Sequence, residues 1–168
     1  MEIRELIEKI VKEMEEKGGL KNVVWVAAGG SNDGHYAAQY FMDRESTAVR
    51  SQMITSSEFE FAAPKCIGEN TIAVITSMRG TKETIEAAKV AKELGAVTIS
   101  QYVDESGITE VCDYNVQYGS IWARYIVGKF FFCGCRIELK ECFQKCGSVI
   151  DGISVQISVC FWCLWLIV

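Results

Sequence analysis

Two strand-length runs, Val23-Val24-Trp25-Val26-Ala27-Ala28 and Thr71-Ile72-Ala73-Val74-Ile75-Thr76, each break at a glycine-bearing turn and hand over to helical spacing. Runs of this kind, without regular polar alternation, suit parallel strands covered on both faces. The first turn is Gly29-Gly30-Ser31-Asn32-Asp33-Gly34, and helical spacing resumes from His35 to Arg44 through Tyr36, Tyr40 and Phe41. The second is Ser77-Met78-Arg79-Gly80, and a helix over 81–94 follows with Ala87, Ala88 and Ala91 along it. Gly95 stops that helix before a further strand over 96–99.

The same grammar extends to either side. Ile3, Leu6, Ile7, Ile10, Val11 and Met14 recur at three- and four-residue steps, predicting an amphipathic helix over 2–17 that ends at Gly18-Gly19. An extended segment over 48–54 leads into Ser56-Ser57-Glu58, which can cap a brief helix ending before Pro64. A short helix over 106–111 and a strand over 114–116 complete the alternation. Strand–helix alternation at this spacing implies right-handed crossovers and an α/β fold, a doubly wound, flavodoxin-like parallel sheet with helices on both faces. Ligands of such sheets bind beyond the carboxyl ends of the strands, where both turns fall.

The turns carry a definite chemistry. A helix N-terminus offers free N–H groups and the positive end of its dipole to an anion. Gly29, Gly30 and Gly80 let backbone approach a ligand, while Ser31, Ser77, Thr81 and Thr84 add hydroxyl donors without fixed charge. That set suits a phosphate monoester. The alternative is that Ser31 and Thr81 merely cap their own helices, as serine and threonine often do. No G-x-G-x-x-G or G-x-x-x-x-G-K-[ST] spacing occurs, so a nicotinamide enzyme and a P-loop ATPase are disfavoured and no cofactor is expected.

Composition divides the chain. Of 168 residues, 17 are basic and 22 acidic, and the net charge of −5 gives no general pull toward nucleic acid or anionic lipid. Six of the eight cysteines (Cys133, Cys135, Cys142, Cys146, Cys160 and Cys163) fall within 121–168, leaving Cys66 and Cys112 upstream as ordinary packed thiols. Cys133-Gly-Cys135 and Cys142-x-x-x-Cys146 lack paired C-x-x-C knuckles, so no metal is expected. The apolar run over 153–168 is shorter than the roughly 20 residues a spanning helix needs. It reads as a buried element, a sticky tail, or the product of a frameshift or truncation. The chain divides into a leading helix (1–20), a domain over 21–120 and this tail over 121–168. No basic n-region and apolar h-region opens the sequence, so the expected compartment is the cytoplasm and membrane partners are not expected.

Three motifs in order carry a resemblance: Ala27-Ala28-Gly29-Gly30-Ser31, Ser57-Glu58-Phe59, and Ser77-Met78-Arg79-Gly80-Thr81-Lys82-Glu83-Thr84 before an alanine-rich helix. With Leu94-Gly95-Ala96-Val97-Thr98-Ile99, they resemble a sugar isomerase (SIS) domain over roughly residues 20–120. Within that superfamily the chain looks most like the first half of the fructosamine-6-phosphate deglycases, and more distantly like the isomerase domain of glucosamine-6-phosphate synthase. The resemblance implies that Gly30, Ser31, Ser77, Arg79, Gly80, Thr81 and Thr84 hold a sugar phosphate. The chain is one residue shorter than the family's S-x-S-G-x-T-x-E-T pattern, so either Ser77 or Thr76 matches its first serine depending on where the gap falls. It carries Arg79 in place of a serine or glycine, which can bond a phosphate or face solvent.

Family members typically carry two such domains, and the second, absent here, supplies a catalytic glutamate and histidine. Glu58 and His35 are the catalytic candidates within this chain. Against them stand a carboxylate favoured by a helix dipole and a partly exposed histidine at a helix start. The readings that follow are part of an isomerase or deglycase, a phosphosugar sensor without turnover, and a membrane-tethered or interaction protein. A homodimer and a phosphorylated sugar or amino sugar are the partners the resemblance implies, and nucleic acid is not among them.

Overall fold

The computed structural model describes residues 3–117. The tail readings, including the six cysteines of 121–168, lie outside the described residues. In chain order the elements are α1 (Ile3–Glu15), β1 (Asn22–Ala27), α2 (Gly30–Asp33), α3 (Tyr36–Glu45), β2 (Arg50–Thr55) and α4 (Ser56–Ala62). There follow β3 (Thr71–Thr76), α5 (Lys82–Glu93), β4 (Val97–Tyr102), α6 (Gly107–Val111) and β5 (Tyr114–Gln117).

The strands form one parallel sheet in the order β2-β1-β3-β4-β5. All six residues of β3 are buried, as are five of the six in β1. Successive side chains point to opposite faces of a strand, so each run feeds two cores at once. Val23, Trp25, Ile72, Val74 and Ile99 pack under Leu6, Ile7, Ile10 and Met14 of α1 and Ala38 and Met42 of α3. Val24, Val26, Ala73 and Ile75 pack under Phe59 of α4 and Ala87, Ala88 and Ala91 of α5. The alanine stripe keeps α5 close to the sheet, while α1 and α3 reach it with longer side chains. The expected α/β sheet with helices on both faces is the observed one.

The boundaries shift where tertiary pairing overrides local preference. Thr55 pairs with Ala27, so β2 runs to Thr55 and begins at Arg50 rather than at Ala48. The N-cap of α4 therefore falls on Thr55, whose hydroxyl accepts from the Glu58 N–H at 3.3 Å, and Ser56 becomes the first helical residue. His35 is buried against Trp25 rather than partly exposed. Cys66 is exposed rather than packed, and Cys112 is buried.

The strand order fixes where a ligand would sit. The chain leaves β1 for β2 on one side and then returns to β3 on the other. The helices that follow β1 and β3 depart to opposite faces, which opens a crevice at their carboxyl ends.

Candidate functional site

The last residues of β1 and β3, Ala27 and Thr76, are register partners. The turns that follow them, 28–31 and 77–81, are therefore side by side at the carboxyl edge. Gly29, with φ +54, turns the chain from β1 into α2, a conformation that L side chains rarely adopt. Ser31 is the second residue of α2, not its cap. The cap is Gly29, which offers no side chain, and the Ser31 N–H bonds back to the Ala28 carbonyl at 3.2 Å.

The second turn is held from within and from the side. The Ser77 hydroxyl oxygen accepts from the Gly80 N–H at 3.0 Å and the Thr81 N–H at 3.3 Å. Both lone pairs are then spent and its own proton remains to be donated. The Ser77 N–H bonds the Gln101 carbonyl at 3.0 Å, and the Val103 and Asp104 N–H groups bond the Met78 carbonyl at 3.2 and 2.9 Å. Gly80, with φ +68, packs so closely on Ser106 that an added Cβ would sit 2.7 Å from the Ser106 Cβ. The turn is thus rigid before any ligand arrives.

Thr81 occupies the N-cap position of α5, yet its side chain makes no capping bond. Its hydroxyl instead meets the Thr84 hydroxyl at 2.9 Å, and Thr84 in turn meets the Ser56 hydroxyl at 2.9 Å. Thr84 and Ser56 are fully buried, and Thr81 is exposed. The capping alternative raised by the sequence is therefore not what either Ser31 or Thr81 does. The Glu83 carboxyl, in the first turn of α5, is held below its usual range by its own backbone N–H and by the Thr81 hydroxyl. The direction of that shift is the one expected where a helix N-terminus favours negative charge.

Arg79 carries the one cation of this turn. Its Nε bonds the Asp104 carboxylate at 3.1 Å, and both side chains are largely exposed. An incoming phosphate would compete with Asp104 for it.

The two catalytic candidates are placed differently. Glu58 is exposed in the first turn of α4, just past the end of β2. His35 is the N-cap of α3, and its Nε2 lies 2.7 Å from the Thr76 hydroxyl. Thr76 also bonds Gln101 Oε1 at 3.0 Å, so β3, β4 and the start of α3 share one polar chain. Gln101 did not stand out in the sequence, and Ser56 did so only as a candidate helix cap. Each matters through a partner 25 or 28 residues away, and only the strand register brings those partners together.

A shallow groove of about 340 Å3 lies at the junction of α3 and β2, lined by Met42, Asp43 and residues 46–51. It sits at the amino end of β2, the opposite edge of the sheet from the two turns. Among the described residues, no helix is long and apolar enough to cross a membrane.

No protein-family model matches the chain. Fructosamine deglycase FrlB of Bacillus subtilis (strain 168) is 35% identical over 101 residues, which cover 59% of this chain and 31% of that protein. The chain thus spans about a third of the curated relative it matches. A solved Salmonella typhimurium LT2 protein assigned as a phosphosugar isomerase is 34% identical with a TM-score of 0.65, over 70% of this chain and 36% of that one. The Vibrio vulnificus NanR protein, solved as a complex with ManNAc-6P, shares the fold at 15% identity with a TM-score of 0.57, over 93% of this chain and 60% of that one. In sequence and in fold alike, this chain resembles the sugar isomerase (SIS) family, with a fructosamine deglycase as its sequence relative and the sheet of the phosphosugar isomerases as its architecture.

Proposed function

We propose that the chain holds the phosphate of a sugar or amino sugar between its β1 and β3 turns, as the first part of a sugar-phosphate isomerase or fructosamine-6-phosphate deglycase. One observation carries this reading. Ala27 and Thr76 are register partners, and the hydroxyls that follow them, on Ser31 and Thr81, cap nothing. Gly30 would supply an amide, Ser31, Ser77 and Thr81 hydroxyls, Arg79 a charge, Gly80 the bare backbone that lets a ligand approach the turn, and Thr84 support from beneath.

The chemistry of the proposed reaction follows from the substrate class. In an opened sugar, a base removes the proton beside the carbonyl or imine carbon and an acid returns one to the adjacent carbon. A phosphate gripped by rigid donors fixes where those carbons lie. Glu58, exposed at the same edge, is the proposed base of this chain, and His35 is the second candidate. Residues beyond the third of the relative that this chain spans would complete the acid–base set, and a homodimer in the cytoplasm fits this reading. A second reading is a site that binds a phosphosugar without turnover; NanR, which shares the fold, was solved with a phosphosugar bound.

Differential melting tests the phosphate site, and turnover separates the two readings. Fructose 6-phosphate and glucosamine 6-phosphate at 100 times Kd should add about 2.7 kcal/mol of stability, and the unphosphorylated sugars should add none. Ser31→Ala with Thr81→Ala should erase that gain while leaving the unliganded transition in place. An equal gain from unphosphorylated sugars would overturn the phosphate site. Consumption of a fructosamine 6-phosphate, reduced by Glu58→Gln, marks the enzyme. Binding without consumption marks the sensor.

A further inference from the structure

One buried amide at the carboxyl edge is only half used. Gln101, the fifth residue of β4, is 3% exposed, and its Oε1 accepts from the Thr76 hydroxyl at 3.0 Å. That bond turns Nε2 away from β3. Nε2 is itself buried and, among the described residues, has no hydrogen-bond partner. Burying an amide donor without an acceptor is costly, so such groups in native proteins mark a place where a partner arrives. The fold leaves one direction for it to come from. Thr76 and Val116 are the register partners of Gln101 on either side, and Ile99 stands two residues before it on the same face. Val116 and Ile99 belong to the apolar core under α1 and α3, and their side chains have no oxygen to offer. What remains is the crevice beyond the strand ends. The Gln101 main chain is already tied to its wall, since its carbonyl accepts the Ser77 N–H at 3.0 Å.

We infer that the Gln101 side-chain amide is a specificity-determining group on the floor of the crevice, binding a hydroxyl of the sugar whose phosphate sits on the β1 and β3 turns. The class of ligand rests on the function proposed above. The half-used amide does not. The two parts of the site divide the work. The turns offer donors to an anion and so tell a phosphorylated compound from its parent sugar. The amide meets the neutral carbon chain and so tells a sugar phosphate from phosphate alone. A buried group built to bond a hydroxyl rejects a ligand that lacks it, because the group then stays unpaired. A hydroxyl also suits an amide in either orientation. Were Gln101 turned over, Thr76 would accept an N–H and the carbonyl oxygen would face outward, and a hydroxyl can donate as well as accept.

The test uses the full chain with inorganic phosphate, fructose and fructose 6-phosphate as probes. Gln101→Met keeps the length of the side chain and removes its hydrogen-bonding groups. It should weaken fructose 6-phosphate by roughly three- to tenfold, the range of one hydrogen bond, and leave inorganic phosphate within about twofold. Ser31→Ala with Thr81→Ala should weaken both. Nitrogen–proton NMR of the wild type reads the amide itself and does not depend on how a variant folds. The Gln101 Nε2 signals, identified by their absence in Gln101→Met, should shift with fructose 6-phosphate and stay in place with inorganic phosphate. Should they stay in place at saturating fructose 6-phosphate, or should Gln101→Met change both affinities alike, the inference is wrong and the phosphate site stands. Should they shift equally with fructose and fructose 6-phosphate while Ser31→Ala with Thr81→Ala has no effect, the phosphate reading fails and the role of Gln101 stands. A wild type that binds none of the three probes overturns both.

Discussion

Replacing Gly80 with alanine tests whether the β3 turn is as tightly built as its geometry shows. Gly80 has φ +68, where an L side chain costs about 1–2 kcal/mol. The new Cβ would also sit 2.7 Å from the Ser106 Cβ and 3.5 Å from Ile85 Cδ1. Forcing an added methyl into filled space costs about 1–3 kcal/mol more. The expected loss is the sum, about 2–5 kcal/mol, out of a total stability on the order of 5–15 kcal/mol. Urea unfolding of the wild type, Gly80→Ala, Ser106→Gly and the double variant measures both parts. The double variant should recover about 1–3 kcal/mol relative to additivity, because the clash is gone, and should keep the φ cost. Gly30→Ala is the control: nothing lies within 4 Å of its Cβ and its φ is not positive, so the change should be near neutral. A Gly80→Ala chain within about 0.5 kcal/mol of wild type, the range of an ordinary surface change, would refute the reasoning, as would a double variant showing no coupling.

Other perturbations read other parts of the molecule. Phe59 is fully buried between α4 and the sheet, so Phe59→Ala should cost about 3–5 kcal/mol by urea unfolding. Burial opposes ionisation of Asp113, but the Thr98 N–H, Lys92 and the Thr98 hydroxyl outweigh it and hold the carboxyl below its usual range. A depressed folded pKa stabilises above the unfolded pKa and is lost as pH falls through the folded one, so the stability gap between wild type and Asp113→Asn should close on acidification below the ordinary aspartate range. A gap independent of pH would show that Asp113 acts by shape alone. Burial pushes the Cys112 thiol up to about 12, whereas Cys66 is exposed. Mass mapping after brief iodoacetamide treatment at neutral pH should therefore find label on Cys66 in the native chain and on Cys112 only after unfolding.

Much of this protein was written in local pattern. The runs at 23–28 and 71–76, the glycine-bearing turns and the alanine stripe of α5 dictated an α/β sheet and put both turns at its carboxyl edge. Apolar periodicity reports which faces must be covered, and glycine reports where the chain must bend, so those features are legible without coordinates. The order of motifs also carried the family resemblance and the choice of Ser31 and Thr81.

Tertiary structure decided what each hydroxyl does. Serine and threonine are alike in sequence whether they cap a helix, hold a turn or face a ligand. Ser77 holds its turn, Thr55 caps α4, and Thr81 caps nothing because Thr84 takes its hydroxyl. Ser56 sits 28 positions from Thr84, and no spacing rule joins them. They meet because β2 and β3 flank β1, which brings the starts of α4 and α5 together over one face of the sheet. His35 likewise became a buried partner of Thr76 through the packing of α3 on β1 and β3. Periodicity along a chain specifies the elements. The direction of a hydrogen bond depends on which donors and acceptors remain unpaired after packing, and that is settled only by the fold.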